Sequence, residues 1–365
     1  MKSFVRSAVA AAILLLAVAA WFYFTPSAEV RKFMSMGFPR DYAHALAEIS
    51  RSRPTWVFKP LDVTGLDRRY TWKYCLYQET EADAARNLVP DLKAYEKYAH
   101  ATDRRIYDSG FRRASADTVA HFLDPVNFLS EPGIFQFMDL GCDPRINPEH
   151  VRAVLKGSFM AGMLLENGME MEEYLVLLGR ELGVNALHLA SRLRQEQGIT
   201  PGPLVDGRCG RKLADLTVAS KRRLSVEEAF SYDGIYNFFN IEAYGRDRFD
   251  VYLSGMKEAK KGSRSMAAAW GGSGTWNRRW KAVYGGAEKI ARAYVATHQN
   301  TIYLQKWNVD ARSKTASGLS RNFWGQYMQN VFAARNEAAM LYRSLKDMGS
   351  LELPYVFLIP VYLGK

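Results

Sequence analysis

The sequence predicts a mainly helical α+β protein in which a small mixed α/β module precedes a helix-rich part. Residues 148–155, 170–182 and 186–197 carry apolar side chains every three to four positions, the repeat of helices with one buried face. Upstream, short helical patterns at 41–49 and 81–98 are mixed with an extended segment, Trp56-Val57-Phe58-Lys59-Pro60. Within the periodic region, Gly183-Val184-Asn185 interrupts the longest run and supplies Asn185 as a helix N-cap, so 170–197 reads as two helices. Asp124-Pro125-Val126-Asn127-Phe128-Leu129 has the chemistry of a turn between apolar anchors. A soft boundary near 139–147 divides the chain into a terminal segment (1–28), an N-terminal mixed α/β module (29–140) and a second domain (141–365).

With 365 residues, 48% of them hydrophobic, the chain has enough apolar material for one large or two ordinary globular domains, which excludes disordered and fibrous classes. Lys and Arg number 49 against 38 Asp and Glu, a net charge of +11. Such a surplus draws a protein toward nucleic acid, anionic lipid or anionic cell-wall polymer. Lys2 and Arg6 precede an apolar stretch over 8–24 that ends in Trp21-Phe22-Tyr23-Phe24. At about 1.5 Å per residue this stretch spans roughly 26 Å, near the lower limit for crossing a bilayer. Positive charge ahead of it favours a signal anchor with a cytoplasmic N-terminus and everything downstream outside. Cleavage after Pro26-Ser27-Ala28 would instead release a secreted protein. Either route argues against nucleic acid and for the wall or the outer membrane face, and an anchor would allow a membrane protein partner.

Three cysteines, Cys75, Cys142 and Cys209, are too few and too scattered for a disulfide scaffold and form no CxxC pair. The six histidines show no ligand spacing, so neither a metal nor an organic cofactor is expected.

Three features carry candidate chemistry. Leu189, Leu193 and Glu196 are spaced four and three apart, which places the carboxylate on the apolar stripe of its helix and points it inward or into a cleft. Glu196 also sits in the last turn before Gly198, where the negative end of the helix dipole and partial desolvation both raise a carboxyl pKa. A carboxyl protonated near neutral pH is what a general acid needs to protonate a glycosidic oxygen. Second, the run Tyr236-Asn237-Phe238-Phe239-Asn240-Ile241-Glu242-Ala243-Tyr244 alternates aromatic and polar groups, as a strand or loop lining a sugar cleft would. Third, residues 246–292 hold eleven basic and four acidic residues together with Trp270, Trp276 and Trp280, a composition suited to a basic, aromatic groove wall in which Arg278, Arg279 and Lys281 lie beside the tyrosine motif. Taken singly, each feature also fits a structural role: a frayed helix-end glutamate, a tyrosine-edged core strand, core tryptophans. Gly285-Gly286 lacks the fingerprint of a phosphate loop, so close helix packing explains it better.

The ordered series Leu189-Ala190-Ser191-Arg192-Leu193-Arg194-Gln195-Glu196-Gln197-Gly198, the Tyr236–Tyr244 run, Gly285-Gly286-Ala287, Gln299-Asn300-Thr301, Lys306-Trp307-Asn308, Gln326-Tyr327 and Ile359-Pro360-Val361-Tyr362 resembles glycoside hydrolase family 73, the endo-β-N-acetylglucosaminidases that cut peptidoglycan. Upstream, Arg53-Pro54-x-Trp56, Arg86-Asn87-Leu88-Val89 and Ile134-Phe135-Gln136-Phe137 are similar to the long exported members. The resemblance implies a lysozyme-like catalytic domain over 141–365 with a small β lobe at 236–244. It implies peptidoglycan glycan strands as substrate, Glu196 as general acid and Tyr236 as a supporting group. Asn237, Tyr244, Trp276, Gln299, Gln326 and Tyr327 are the expected substrate-binding residues. The chain departs from the family pattern at Arg192-Leu193-Arg194, at Gln197 and at Glu242, where the family has glycine; Glu242 is thereby a candidate second carboxylate, among Asp206, Glu227, Glu228, Asp233 and Asp247. A muramidase or lytic transglycosylase acting on the same polymer, or an inactive wall-binding scaffold, would carry many of the same features.

Overall fold

The computed structural model describes residues 26–65, 67–80, 86–107, 110–220, 224–270, 273–315 and 317–365. The chain begins with α1 (Ala28–Ser35), α2 (Arg40–Ser52), β1 (Val57–Asp62), α3 (Trp72–Thr80), β2 (Leu88–Pro90), β3 (Phe111–Arg113) and α4 (Ala116–Leu123). The helix-rich part follows, with α5 (Pro148–Leu155), α6 (Met171–Leu182), α7 (Ala186–Gln197), α8 (Cys209–Ser220) and α9 (Val226–Phe230). It continues through α10 (Arg248–Lys261), α11 (Arg264–Trp270), α12 (Arg279–Ala293), α13 (Ile302–Trp307), α14 (Ala333–Asp347) and the closing strand β4 (Val356–Val361). The architecture is therefore mainly helical α+β.

Local chemistry accounts for the break between α6 and α7. Gly183 ends α6 in the left-handed conformation at φ 71°, and the Asn185 side chain accepts from the Leu187 N–H at 2.9 Å to start α7. The helical pattern at 81–98 does not form a helix where it is described: Leu88–Pro90 pairs antiparallel with Phe111–Arg113, and Lys93–Tyr98 is a short 3₁₀ segment. Pro90 lacks the N–H a helix interior needs and suits the end of a short strand instead. The terminal segment expected over 1–28 falls mostly on residues 1–25, outside those described. Among the described residues no helix is long and apolar enough to cross a membrane. All three cysteines are free, Cys75 and Cys209 in the interior and Cys142 exposed.

The extended segment at 57–62 finds its partner at the other end of the chain. β1 runs parallel to β4, from Val57 against Val356 to Asp62 against Val361. Trp56, Phe58, Phe135 and Phe357 pack over this pair with ring centroids 5.0 to 5.6 Å apart, and Trp56 Nε1 donates to the Leu351 carbonyl at 2.8 Å. Portions on either side of residue 140 thus share a sheet, and their buried side chains form one continuous core.

The paired glycines of α12 answer to packing. A Cβ on Gly285 would lie 2.2 Å from Trp276 Nε1, and one on Gly286 would lie 2.2 Å from Phe239 Cδ2. Trp276, expected on a groove wall, is instead fully buried in the core beneath α12, because only a bare backbone lets the helix approach its indole. Since that indole cannot retreat, Gly285→Ala is expected to lower stability by about 1–3 kcal/mol. Chemical denaturation read by tryptophan fluorescence measures this directly, and an unchanged midpoint would contradict the packing account.

Candidate active site

The site is built at the C-terminal end of α7. The helix buries Ala186 through Leu193, so its final turn reaches the surface just as Glu196 arrives, and Gly198 caps it at φ 65°. Glu196 lies at the edge of a cleft of about 430 Å³ lined also by Asn240, Ile241, Glu242, Tyr244, Lys289, Tyr294 and Tyr327. Both carboxylate oxygens have donors: Tyr327 Oη to Oε1 at 2.9 Å and Asn240 Nδ2 to Oε2 at 3.0 Å.

Each donor is itself held. Asn240 adopts φ 50°, a left-handed conformation that asparagine tolerates better than most residues. Gln197 Nε2 donates to Asn240 Oδ1 at 3.0 Å and to the Phe238 carbonyl at 2.9 Å, which turns the Asn240 amide so that its N–H faces Glu196. Tyr327 receives three constraints. Its N–H donates to the Gln305 carbonyl at 2.8 Å, its ring lies 3.7 Å from the Arg192 guanidinium carbon, and it meets Tyr294 edge-on at 5.4 Å. Arg192 is fully buried, ion-paired to Glu337 of α14 at 3.0 Å and donating to Gln305 Oε1 at 2.6 Å.

These surroundings set the protonation state. Burial pushes the Glu196 carboxyl above its ordinary value, with Glu337 adding to the rise, while the Tyr327 hydrogen bond, the Arg192 charge and the Asn240 hydrogen bond pull against it. Burial, reinforced by the Glu196 charge, raises the Tyr327 phenol well above its usual value, so it stays protonated as a donor.

Of the residues expected at the site, the fold brings Glu196, Glu242, Tyr244 and Tyr327 together around the cleft. Tyr244 stands 67% exposed on its wall. Others face inward. Asn237 is fully buried, donating to the Ile241 and Gly255 carbonyls at 2.8 and 3.0 Å and accepting from the Ile241 N–H at 2.9 Å, so its amide shapes the loop from within. Gln299 donates to the carbonyls of Leu304 and Gly325 at 3.1 and 3.3 Å in the core. Gln326 joins Lys306 and Glu79 at 3.2 and 2.9 Å. Tyr236 packs against Gly207 and does not line the cleft. The segment 236–244, expected as a small β lobe, is an irregular loop: the Asn237 bonds close it on itself, and Asn240 and Glu242 at φ 50° and 55° cannot join a strand ladder.

One of the candidate second carboxylates lines the cleft together with Glu196. Asp206 and Asp233 accept from the backbone N–H groups of Arg208 and Arg211, and Asp247 caps α10 through the Asp250 N–H at 3.1 Å. Glu227 and Glu228 occupy the first turn of α9. Glu242 alone of these candidates lines the cleft, and its charge as well as that of Glu196 acts on Tyr294. Its φ of 55° lies in the left-handed region that glycine adopts without strain. Asn240, Tyr294 and Gln197 escaped the sequence reading as site residues. Asn240 stood inside a quoted motif, and Gln197 stood out only as a departure from one.

No family model matches the chain. In sequence it is homologous to the bifunctional autolysins of Staphylococcus aureus, 23% identical over 295 residues to those of strains COL and MSSA476, which covers 79% of this chain. The chain spans about a fifth of the length of these curated relatives (20%). Among solved structures it is similar to S. aureus glucosaminidase B, with a TM-score of 0.48, 18% identity and coverage of 84% of this chain and 93% of that one. S. aureus autolysin E in complex with the muropeptide NAM-L-ALA-D-iGLU gives a TM-score of 0.49, 18% identity and coverage of 80% and 96%.

The hydrogen bonds at Glu196 generate a pH prediction. Tyr327 stabilises the ionised carboxylate, so Tyr327→Phe lets desolvation act with less opposition and raises the Glu196 pKa further. An acid that must be protonated to work then stays competent to higher pH. The alkaline limb of the kcat/KM profile is expected to move upward in this variant, and a limb that moves down or stays put would contradict the assignment.

Proposed function

We propose that the chain is an endo-β-N-acetylglucosaminidase that hydrolyses the GlcNAc-β-1,4-MurNAc bond of peptidoglycan in wall remodelling or autolysis. The observation that carries this reading is Glu196, a partly desolvated carboxyl held by Tyr327 and Asn240 at the edge of a cleft that also contains Glu242. Sequence homology to autolysins and the family-73 motif series support the same polymer as substrate. The proposal includes export, with residues 1–28 as signal anchor or cleaved signal. It also treats 29–140 as an N-terminal module and 141–365 as the catalytic domain.

In the proposed reaction, protonated Glu196 gives its proton to the glycosidic oxygen as the C1–O bond breaks, and positive charge develops on the ring carbon and oxygen. Glu242 acts from the cleft loop as the second carboxylate, taking a proton from the water that adds to C1. Tyr244 and Tyr294 offer ring faces to the sugars. Tyr327 keeps Glu196 aimed, and the proton that Glu242 takes from the water passes through solvent back to Glu196, which restores both carboxyls for the next turnover.

Glu196→Gln is expected to lower turnover of purified wall by roughly 10²-fold or more, the scale of general acid catalysis. Its thermal midpoint above neutral pH is expected to be equal to or higher than that of the wild type. A carboxyl whose folded pKa is raised stabilises least once pH passes that value, and a neutral amide escapes the penalty. Wild-type turnover in this variant would refute the role. Mass spectrometry of the digest should find reducing-end N-acetylglucosamine, whereas anhydro-muramic acid products would indicate a lytic transglycosylase and no cleavage at all a binding scaffold. Glu242→Gln is expected to lower kcat with KM little changed; unaltered kcat would assign the second function to the substrate's own acetamido oxygen instead.

A further inference from the structure

Beyond Glu242 and Tyr244, the cleft wall reaches Lys289 and Ala293, and both residues also line a second hollow of about 380 Å³. The two hollows therefore adjoin across Lys289 and Ala293. The second is lined by Lys261, Arg264, Lys289 and Arg292, with Glu288 as the one carboxylate of its lining. These cations come from three helices, α10, α11 and α12, of the basic stretch 246–292.

Their heads are held in place and left open to water. Glu258, nearly buried, anchors Lys289 at 2.6 Å and Lys261 at 3.4 Å from below, and Glu288, also nearly buried, anchors Arg292 at 2.8 Å. The cationic side chains remain 40%, 69% and 72% exposed respectively. Arg264 is exposed and enters none of the described ion pairs. Buried acids thus fix the cations along the wall without taking up all their hydrogen-bonding capacity, and the hollow keeps a positive surplus. By contrast Arg279, another cation of the same basic stretch, is bound to Glu166 at 2.8 Å and is not part of this lining.

We propose that this hollow is a carboxylate subsite for an acidic peptide carried by the glycan strand lying in the cleft. The inference rests on the glycosidase reading given above. A substituent of the strand itself is favoured over a separate anionic polymer because the subsite adjoins the catalytic cleft across Lys289. A strand seated against Glu196 would deliver its own side branch there, and fixed cations cost little reorganisation on binding.

The test measures binding to the full chain carrying Glu196→Gln, so that fragments stay intact. Calorimetry would compare peptide-bearing glycan fragments with the same fragments stripped of peptide, in this protein and in one also carrying Arg264→Ala and Arg292→Ala. The peptide-bearing fragment is expected to bind more tightly by roughly five- to thirtyfold, the worth of two partly exposed charge contacts. That advantage should vanish in the double variant, shrink with added salt and largely return with Arg264→Lys and Arg292→Lys. Equal affinity for both fragments, or an advantage indifferent to the double variant, overturns the proposal. So does a phosphodiester wall polymer that binds the hollow in preference to the peptide. Failure of the wild type to cleave wall while these binding differences hold would refute the glycosidase reading and leave the subsite standing.

Discussion

A carboxyl can serve as an acid near neutral pH only if it is withdrawn from water far enough to hold its proton, yet close enough to solvent to meet a substrate. At Glu196 that balance depends on what lies behind it. Arg192 would stabilise the charged form too strongly if it stood alone one turn away, but it is buried, paired with Glu337 and covered by the Tyr327 ring. The positive charge is partly balanced where it sits, so that Arg192 and the Tyr327 hydrogen bond together lower the Glu196 pKa without overcoming burial. A buried pair of this kind is costly to break, since removal of either partner leaves an uncompensated charge in the interior. The position of α14 beneath α7 is therefore a condition of the site.

The N-terminal part of the chain is drawn into the same arrangement. Glu79 at the end of α3 accepts from Gln326, Lys306 of α13 donates to Asn87 and Gln326, and Asn87 donates to Glu79, with all distances between 2.7 and 3.2 Å. This buried polar cluster holds the residue immediately before Tyr327. Together with the β1–β4 pairing it makes the upstream segment part of the support for the cleft. Satisfied networks in a low-dielectric interior are rigid, and rigidity at Gln326 becomes aim at Tyr327.

The helical layout was legible because it is written in local periodicity and capping. Asn185 and Gly183 mark the α6–α7 break, and the stripe through Leu189 and Leu193 carries Glu196 to the helix edge. The directions of polar side chains were not legible in the same way. Asn237, Gln299 and Gln326 are residue types that bind sugars well, yet each is spent on backbone or side-chain partners inside the protein. Nor does an aromatic in a basic stretch declare which way it points. Trp276 turns inward because Gly285 leaves room for it, a complementarity between two positions nine residues apart that helical spacing does not express.

By itself the sequence determined the class of fold, the helix that presents Glu196, the positive surplus and a motif series resembling family 73. Those follow from short-range rules, where spacing along the chain equals spacing in space. Tertiary structure alone decided that Glu242 faces the same cleft as Glu196, that Gln197 sets Asn240 and Arg192 sets Tyr327, and that part of the basic surplus gathers at the cleft's end. Each of these depends on contacts between elements tens to more than a hundred residues apart. Which side chains meet there is settled by how helices pack, and no local pattern encodes it.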